Sequence, residues 1–471
     1  MATVSDPTRD VLQASGLSES DVATWAAAAP GGDGAASAEG FRAEARASSS
    51  FLTQGEALLG RLPPRPRRDE REQAAAAAII GTLHAERERF LEGHAHRVYT
   101  ELTDDLRRAL RVEDLLDRAA ERFPGLTPAQ EVVDREREQL QGDKDGAEIA
   151  QGLFVAHVLA QPRSGRHLVW AMLRPTSAAL ERLEEFRRTG SVDLGRTHVR
   201  REGRAGVLEL RNPRHLNAED DSTIEPTETG VDLILLDPSI EVGVMRGGVV
   251  DHPRYPGRRI FGAGINLTHL YRGQIAYLFY VVRDLGYVNK IYRGLSAPEH
   301  RPGDLEDTTE KLWVAAAETY AIGGACQLLH VMDHVIADRG CRLYLPARKE
   351  GIIPGASNLR LPRFVGDRLA RQAIFSGLEF EAGTPPSDRI IDEVVEPGEM
   401  DAAITRRVDA LTSSGVVNAA ANRRAMRVGQ EPIDVFRAYM ATYAREQATC
   451  HFSPALIRNL EQHWNAHNRR I

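Results

Sequence analysis

The sequence predicts an α/β fold in which a helical N-terminal domain precedes a layered core and more helices close the chain. Three observations carry this. From about Asp69 to Arg188 the chain is rich in Ala, Leu, Glu and Arg, with apolar residues at helical spacing. Beyond about residue 200, short β-rich runs ended by turn residues alternate with helical patterns, which indicates strands layered against helices. From Glu399 to Ile471 the pattern is helical again. These shifts divide the chain into a helical domain over 1–200, an α/β core over 201–398, and a C-terminal helical segment over 399–471. The last packs on the core or on a neighbouring subunit.

Taken in order, residues 26–50 are rich in Ala, Gly and Ser and read as a joint, with AEGFRAEA as an alternative helix start. The long helical stretch opens at DEREQAAAAAIIGTL, and AALERLEEFRRTG closes the region with a glycine stop at Gly190. GVLELRNP from Gly206 and VDLILLD from Val231 to Asp237 read as strands ended by turn residues. RRIFGAGINL and KLWVAAAETYAIGG are strand-like runs that each end in glycines. Between them, helical patterns cover Leu270 to Leu285, Ala325 to Ile336 and Asp367 to Phe375.

Bulk properties narrow the function classes. The 471 residues are 42% hydrophobic and 27% charged, an ordinary globular composition. A net charge of −7 with no basic stripe argues against a nucleic-acid partner. No apolar run approaches ~18 residues, so no membrane span is expected, and the start MATVSDPTRDV lacks the pattern of a secretory signal. Three cysteines (Cys326, Cys341, Cys450) without CxxC spacing suit a reducing, cytoplasmic setting.

Chemistry concentrates in two glycine loops, FGAGINL (261–267) and AIGGACQ (321–327). Each leaves a strand through glycines, so backbone N–H groups can approach a ligand with no Cβ in the way. Side by side, they would offer two donors to one oxyanion. Read alone, they are equally well simple strand–helix turns.

The ordered set NPRHLNAED (212–220), FGAGINL, AIGGACQLLHVMDHVIAD (321–338) and KEGIIPGASNLRLPRFVG (349–366) resembles the crotonase, or enoyl-CoA hydratase, superfamily. The resemblance covers roughly Ala205 to the C-terminus. It implies a core of spiralling ββα turns, assembled as trimers or dimers of trimers. It further implies that the N–H groups of Ile265 and Gly324 form an oxyanion hole for a CoA thioester carbonyl. Arg214, Leu216 and Ala218, with Ala263, Gly264, Asn266 and Leu267, would hold the CoA adenine and pantetheine, and Gly323 and Ala325 would bind the substrate as well.

Two departures decide between activities. Hydratases of this family carry a glutamate just after the glycines and a second near the IPG turn; these positions are Gln327 and Ala347 here. Neither can exchange a proton, and adding water across a double bond needs two such groups. Glu350 lies near the second position but, if the register holds, points elsewhere. The chain is similar throughout to one branch of the family, the cofactor-independent dioxygenases acting on 3,5-dihydroxyphenylacetyl-CoA in glycopeptide-antibiotic biosynthesis. That likeness implies an enolate that reacts directly with O2 and needs no metal or organic cofactor. The alternative keeps the enolate without O2, as a crotonase-fold thioester hydrolase, isomerase or decarboxylase. A silent acyl-CoA-binding subunit is the alternative outside enzymes.

For individual side chains, bland and functional readings stand together. Gln327 is a bond donor to peroxide or substrate, or a structural amide. Glu219 is the best surviving carboxylate near the reacting carbon, or a solvated acid of the AEDD run. Arg283, in the apolar YLFYVVRDLGY, needs a partner; this is Asp284 or Glu310 in a structural ion pair, or the substrate's ring hydroxyls or peroxide. Ile352 and Ile353 are candidate walls for an O2 cavity. His330 and His334 fall at i and i+4, a zinc-like spacing without a third ligand, so no metal is expected. Cys326 reads as a small buried apolar group. Arg254, Arg258 and Arg259 meet CoA phosphates or solvent.

Overall fold

The computed structural model describes residues 4–31, 37–296, 305, 307–413 and 416–469. Part of the Ala/Gly/Ser-rich joint, 32–36, lies outside them, whereas AEGFRAEA begins the helix Ala38–Leu59. The helix Glu70–Leu102 starts where the sequence indicates. The Asp69 side chain accepts from the Glu72 N–H at 2.8 Å, and the Glu72 carboxylate accepts from the Asp69 N–H at 2.9 Å, which satisfies two otherwise orphaned donors. Helix Ser177–Thr189 ends at Gly190, whose φ of +70° only glycine adopts at no steric cost.

Strands β1 (Ser191–Asp193), β2 (Thr197–Glu202), β3 (Ala205–Leu210) and β4 (Val242–Gly247) follow. After the short pair β5 (Leu295–Ser296) and β6 (Thr308–Thr309) come β7 (Leu312–Ala317), β8 (Tyr320–Ile322), β9 (His334–Asp338), β10 (Arg342–Tyr344), β11 (Phe380–Glu381) and β12 (Glu393–Val395). The main sheet has the order β1-β2-β3-β4-β7-β9-β12, antiparallel across β1 to β3 and parallel from β3 onward. Its central strands are buried on both faces, as covered parallel sheets are.

The core is a spiral of ββα turns. β7 leads to β8 and the helix Gly324–Leu329, and β9 leads to β10 and the helix Ala347–Glu350. β4 leads likewise to an extended segment at Gly262 and the helix Leu267–Tyr271. In the second layer β8 pairs with β10, and Gly262 pairs with Ala321. The glycine-bearing ends of successive turns are therefore neighbours.

Several sequence expectations need correction. VDLILLD is the end of a helix, Asp221–Leu236, because Val231 to Leu235 are buried on every side and show no period to separate helix from strand. RRIFGAGINL is extended but forms only isolated pairs, Arg259 with Val249, Gly262 with Ala321 and Ile265 with Glu219. The helix expected over Ala325 to Ile336 stops at Leu329, and His334 begins β9. His330 and His334 therefore share no helix face. His330 Nδ1 meets Ser357 Oγ at 3.0 Å, and His334 lies 3.6 Å from Asp392. Leu270 to Leu285 is split into Leu267–Tyr271 and Leu278–Leu285.

The helix Ile149–Ala160 is apolar almost all round, the mark of a buried helix. It lies between Glu70–Leu102 and the C-terminal helix Ile433–His451. A Cβ on Gly152 would come within 2.5 Å of Ala448 Cβ and 3.0 Å of Ala444 O. Gly152→Ala should therefore destabilise the fold by about 1–3 kcal/mol through overpacking. Urea denaturation checks this; an unchanged midpoint would place the helix crossing elsewhere.

Candidate active site

The two glycine loops meet. Ile322 N–H donates to Gly262 O at 3.0 Å, and Glu219 N–H donates to Gly264 O at 2.7 Å. Asn266 N–H returns a bond to Glu219 O at 2.7 Å, stitching the segment after β3 to the first loop. Gly264 and Gly323 have φ of +78° and +53°, and a Cβ on Gly264 would sit 2.9 Å from Ile322 O. Close approach and backbone conformation both require glycine at Gly264. The N–H groups of Ile265 and Gly324 have no hydrogen-bond partner among the described residues, and both residues line one cleft.

This cleft is narrow, with about 30 Å³ of free space between its walls. Its wall includes Glu219, Ile265, Arg283, Gly323, Gly324, Gln327, Ile352 and Ile353, all singled out in the sequence. Phe279, Tyr280, Asp284, Pro346, Ala347, Glu350, Pro354 and Tyr443 complete it. Phe279 and Tyr280 stand one helical turn before Arg283, so helical spacing in YLFYVVRDLGY was the signal for them. Tyr443 arrives from Ile433–His451, and nothing in its local sequence announces it. Arg214, Leu216, Ala218, Ala263, Gly264, Asn266, Leu267 and Ala325 lie outside the cleft wall. Arg214 is exposed, Leu216 and Ala263 pack beside Tyr320, and Asn266 caps the helix Leu267–Tyr271.

Arg283 organises the interior. Nε donates to Glu219 Oε1 at 2.8 Å, and Nη1 donates to Asp284 Oδ1 at 2.8 Å and Gln327 Oε1 at 3.0 Å. Nη2 donates to Glu219 Oε2 at 3.2 Å and Gly324 O at 2.8 Å. All five N–H donors are engaged. Glu310, the other partner considered, bonds Arg427 instead, at 2.7 Å. Burial opposes the Arg283 charge, yet Glu219, Tyr287 and Asp284 more than offset it and hold the guanidinium protonated far above its ordinary range. Burial raises Asp284, against the pull of Arg283. Glu219 also accepts from the Tyr287 hydroxyl. A Cβ on Gly324 would meet Glu219 Oε2 at 2.1 Å, so this glycine leaves room for the pair.

Gln327 spends its carboxamide oxygen on Arg283, leaving the NH2 for a ligand. Ala347 faces the cleft as the register requires. Glu350 does too, contrary to the sequence expectation. In the four-residue helix Ala347–Glu350, positions i and i+3 share a face, so a shift of three residues keeps a side chain on the cleft. Burial pushes the Glu350 carboxyl up to about 8. Burial likewise raises the Cys326 thiol to about 12, in keeping with an inert apolar group. Arg259 is bound to Glu209 at 2.8 Å, whereas Arg254 and Arg258 are exposed. Among the described residues no three His, Cys, Asp or Glu side chains are grouped to hold a metal ion.

The Enoyl-CoA hydratase/isomerase family model matches residues 304–445. The (3,5-dihydroxyphenyl)acetyl-CoA 1,2-dioxygenase of Amycolatopsis orientalis is 44% identical over 404 residues, covering 86% of this chain and 92% of that protein. The chain belongs to the crotonase (enoyl-CoA hydratase/isomerase) superfamily. A short-chain-enoyl-CoA hydratase of Clostridium acetobutylicum is 24% identical over 242 residues, covering 51% of this crotonase and 84% of the hydratase. An enoyl-CoA hydratase structure from Mycobacterium avium subsp. paratuberculosis K-10 superposes with a TM-score of 0.47 at 16% identity, over 57% of this chain and 98% of that one.

In this crotonase, removing Arg283 would strand Glu219 and Asp284 as buried, unpaired carboxylates. Arg283→Met should cost about 3–5 kcal/mol of stability, read from urea denaturation, and a loss under 1 kcal/mol would remove Arg283 as the organising residue.

Proposed function

We propose that this chain is a cofactor-independent dioxygenase that converts 3,5-dihydroxyphenylacetyl-CoA and O2 into 3,5-dihydroxyphenylglyoxylate and free CoA. The likeness to the Amycolatopsis dioxygenase across nearly its whole length carries the reading. The site supports it chemically: the paired N–H groups remain, while the positions of both hydratase carboxylates are Gln327 and Ala347.

The thioester oxygen accepts from the N–H groups of Ile265 and Gly324. Loss of an α-proton places negative charge on that oxygen, where each preorganised donor is worth about 3 kcal/mol. The aryl ring delocalises the carbanion, which supplies the electrons that reduce O2; no metal or organic cofactor enters. A C–O bond forms at the α-carbon, and the distal peroxide oxygen attacks the thioester carbonyl. CoA thiolate leaves, the O–O bond breaks as the second α-proton departs, and an α-keto carboxylate remains. The NH2 of Gln327 bonds the peroxide or a ring hydroxyl. Glu219 and Arg283 hold Gln327 and Gly324 in position. Phe279, Ile352, Ile353 and Tyr443 form the apolar wall that excludes water. Arg214, Leu216, Ala218, Ala263, Gly264, Asn266, Leu267, Gly323 and Ala325 bind the CoA portion. The chain assembles as a homo-oligomer, with exposed Phe375, Met426 and Val428 as apolar contact candidates, and a CoA thioester substrate suits the cytoplasm.

An oxygen electrode tests this with chelator-treated protein and 3,5-dihydroxyphenylacetyl-CoA. Uptake of one O2 per CoA released is the expected result, and CoA release without O2 uptake would make the protein a hydrolase. Gly324→Ala should lower kcat by about 100- to 1,000-fold by displacing an oxyanion donor.

A further inference from the structure

The proposed reaction needs a group to remove the α-proton, and neither family position supplies one. Around the cleft, Glu219 is committed to Arg283 and Tyr287, and Asp284 lends one oxygen to Arg283. Both carboxylates are thus engaged as partners of the Arg283 guanidinium. Glu350 differs. It is only 8% exposed, lines the same cleft as Ile265 and Gly324, and its carboxyl has no hydrogen-bond or ion-pair partner among the described residues. An unpaired buried carboxyl costs stability, so its place in a reactive cleft points to chemistry.

We propose that Glu350 is the general base that removes the α-proton of the arylacetyl thioester. The inference rests on the dioxygenase reading. The α-C–H bond breaks, the proton goes to a Glu350 carboxylate oxygen, and the electron pair passes to the thioester oxygen between Ile265 and Gly324. When CoA thiolate leaves, the proton on Glu350 passes to sulfur, which restores the carboxylate. The short helix Ala347–Glu350 brings the carboxyl to the cleft one turn after the position of the lost family glutamate.

The charged and titratable groups around it are consistent with this role. Tyr280 and Tyr344 are close enough to feel its charge, and both hydroxyls are raised, chiefly by burial, and stay neutral. His451, which contacts Tyr280 at 3.3 Å, is held neutral by burial. Tyr443 on the cleft wall is raised likewise, and the cluster of Arg283 with Glu219 and Asp284 forms another part of that wall. Arg348 and Lys349 on its own helix are exposed, and with His463 they line a separate pocket. With burial as the cause, the Glu350 carboxyl titrates near 8 instead of the usual carboxylate range. A base works only when ionised, so the rate should rise with pH through about 8.

Solvent-deuterium incorporation at the α-carbon tests the step directly, measured under nitrogen by mass spectrometry of 3,5-dihydroxyphenylacetyl-CoA bound to the full chain. Glu350→Gln should slow both exchange and aerobic O2 uptake by about 100-fold or more, with calorimetric affinity for the thioester retained. It should also abolish the rise in rate near pH 8. Glu350→Asp should keep that pH dependence at a reduced rate, which a purely structural role would not produce. Exchange and turnover in Glu350→Gln within about threefold of the unsubstituted protein would overturn the assignment and leave the dioxygenase reading intact. Glu350-dependent exchange with no O2 uptake would do the reverse.

Discussion

A buried guanidinium constrains this site more than any other group. Taking a cation out of water costs several kcal/mol unless every donor finds an acceptor. Arg283 meets that condition with oxygens from three separate stretches: the segment after β3, its own helix, and the helix Gly324–Leu329, which supplies both Gly324 O and Gln327 Oε1. Shifting any one stretch would orphan a buried donor, so the three are locked in register. The orientations of the Gly324 peptide and the Gln327 amide follow from that lock, as does the loss of Glu219 as a free carboxylate.

The sheet supplies the complementary constraint. Parallel pairing of β4, β7 and β9 brings the ends of successive ββα turns to the same side. The pairing of Gly262 with Ala321 then sets two glycine loops against each other. Cβ atoms at Gly264 or Gly324 would push this contact apart or strike the Glu219–Arg283 pair. The chemistry of the cleft is then set by the side chains that enter it from the helix behind the glycines and from the turn before Pro354, Gln327 and Glu350 among them.

Much of the site was legible because glycine loops and the IPG turn are punctuation with fixed geometric meaning. Ile265, Gly324, Gln327, Arg283 and the Ile352–Ile353 pair all reach the cleft. What stayed hidden had physical causes. Val231 to Leu235 carry no period because every face is buried, so helix and strand look alike. His330 and His334 mimicked helical spacing across a helix end, where only the early turn after Leu329 reveals the break. Ala347, found by counting back from Pro354, lines the cleft, but Glu350 does so too instead of pointing elsewhere, because residues three apart share a face in a helical turn and not in a strand. Tyr443 could not be found locally, since tertiary packing alone brings it to the cleft.

The helix Ile433–His451 presents Tyr443 to the cleft and also covers the apolar helix Ile149–Ala160. These two helices lie about 270 residues apart in the chain. At roughly 5–20 residues per second, synthesis leaves the first waiting about 14–55 s for the second. During that interval the face of this apolar helix turned away from Glu70–Leu102 has no permanent cover, and the cleft lacks one wall. The nascent chain thus carries an open apolar face until Ile433–His451 leaves the ribosome, and the same helix then supplies the Tyr443 part of the cleft wall.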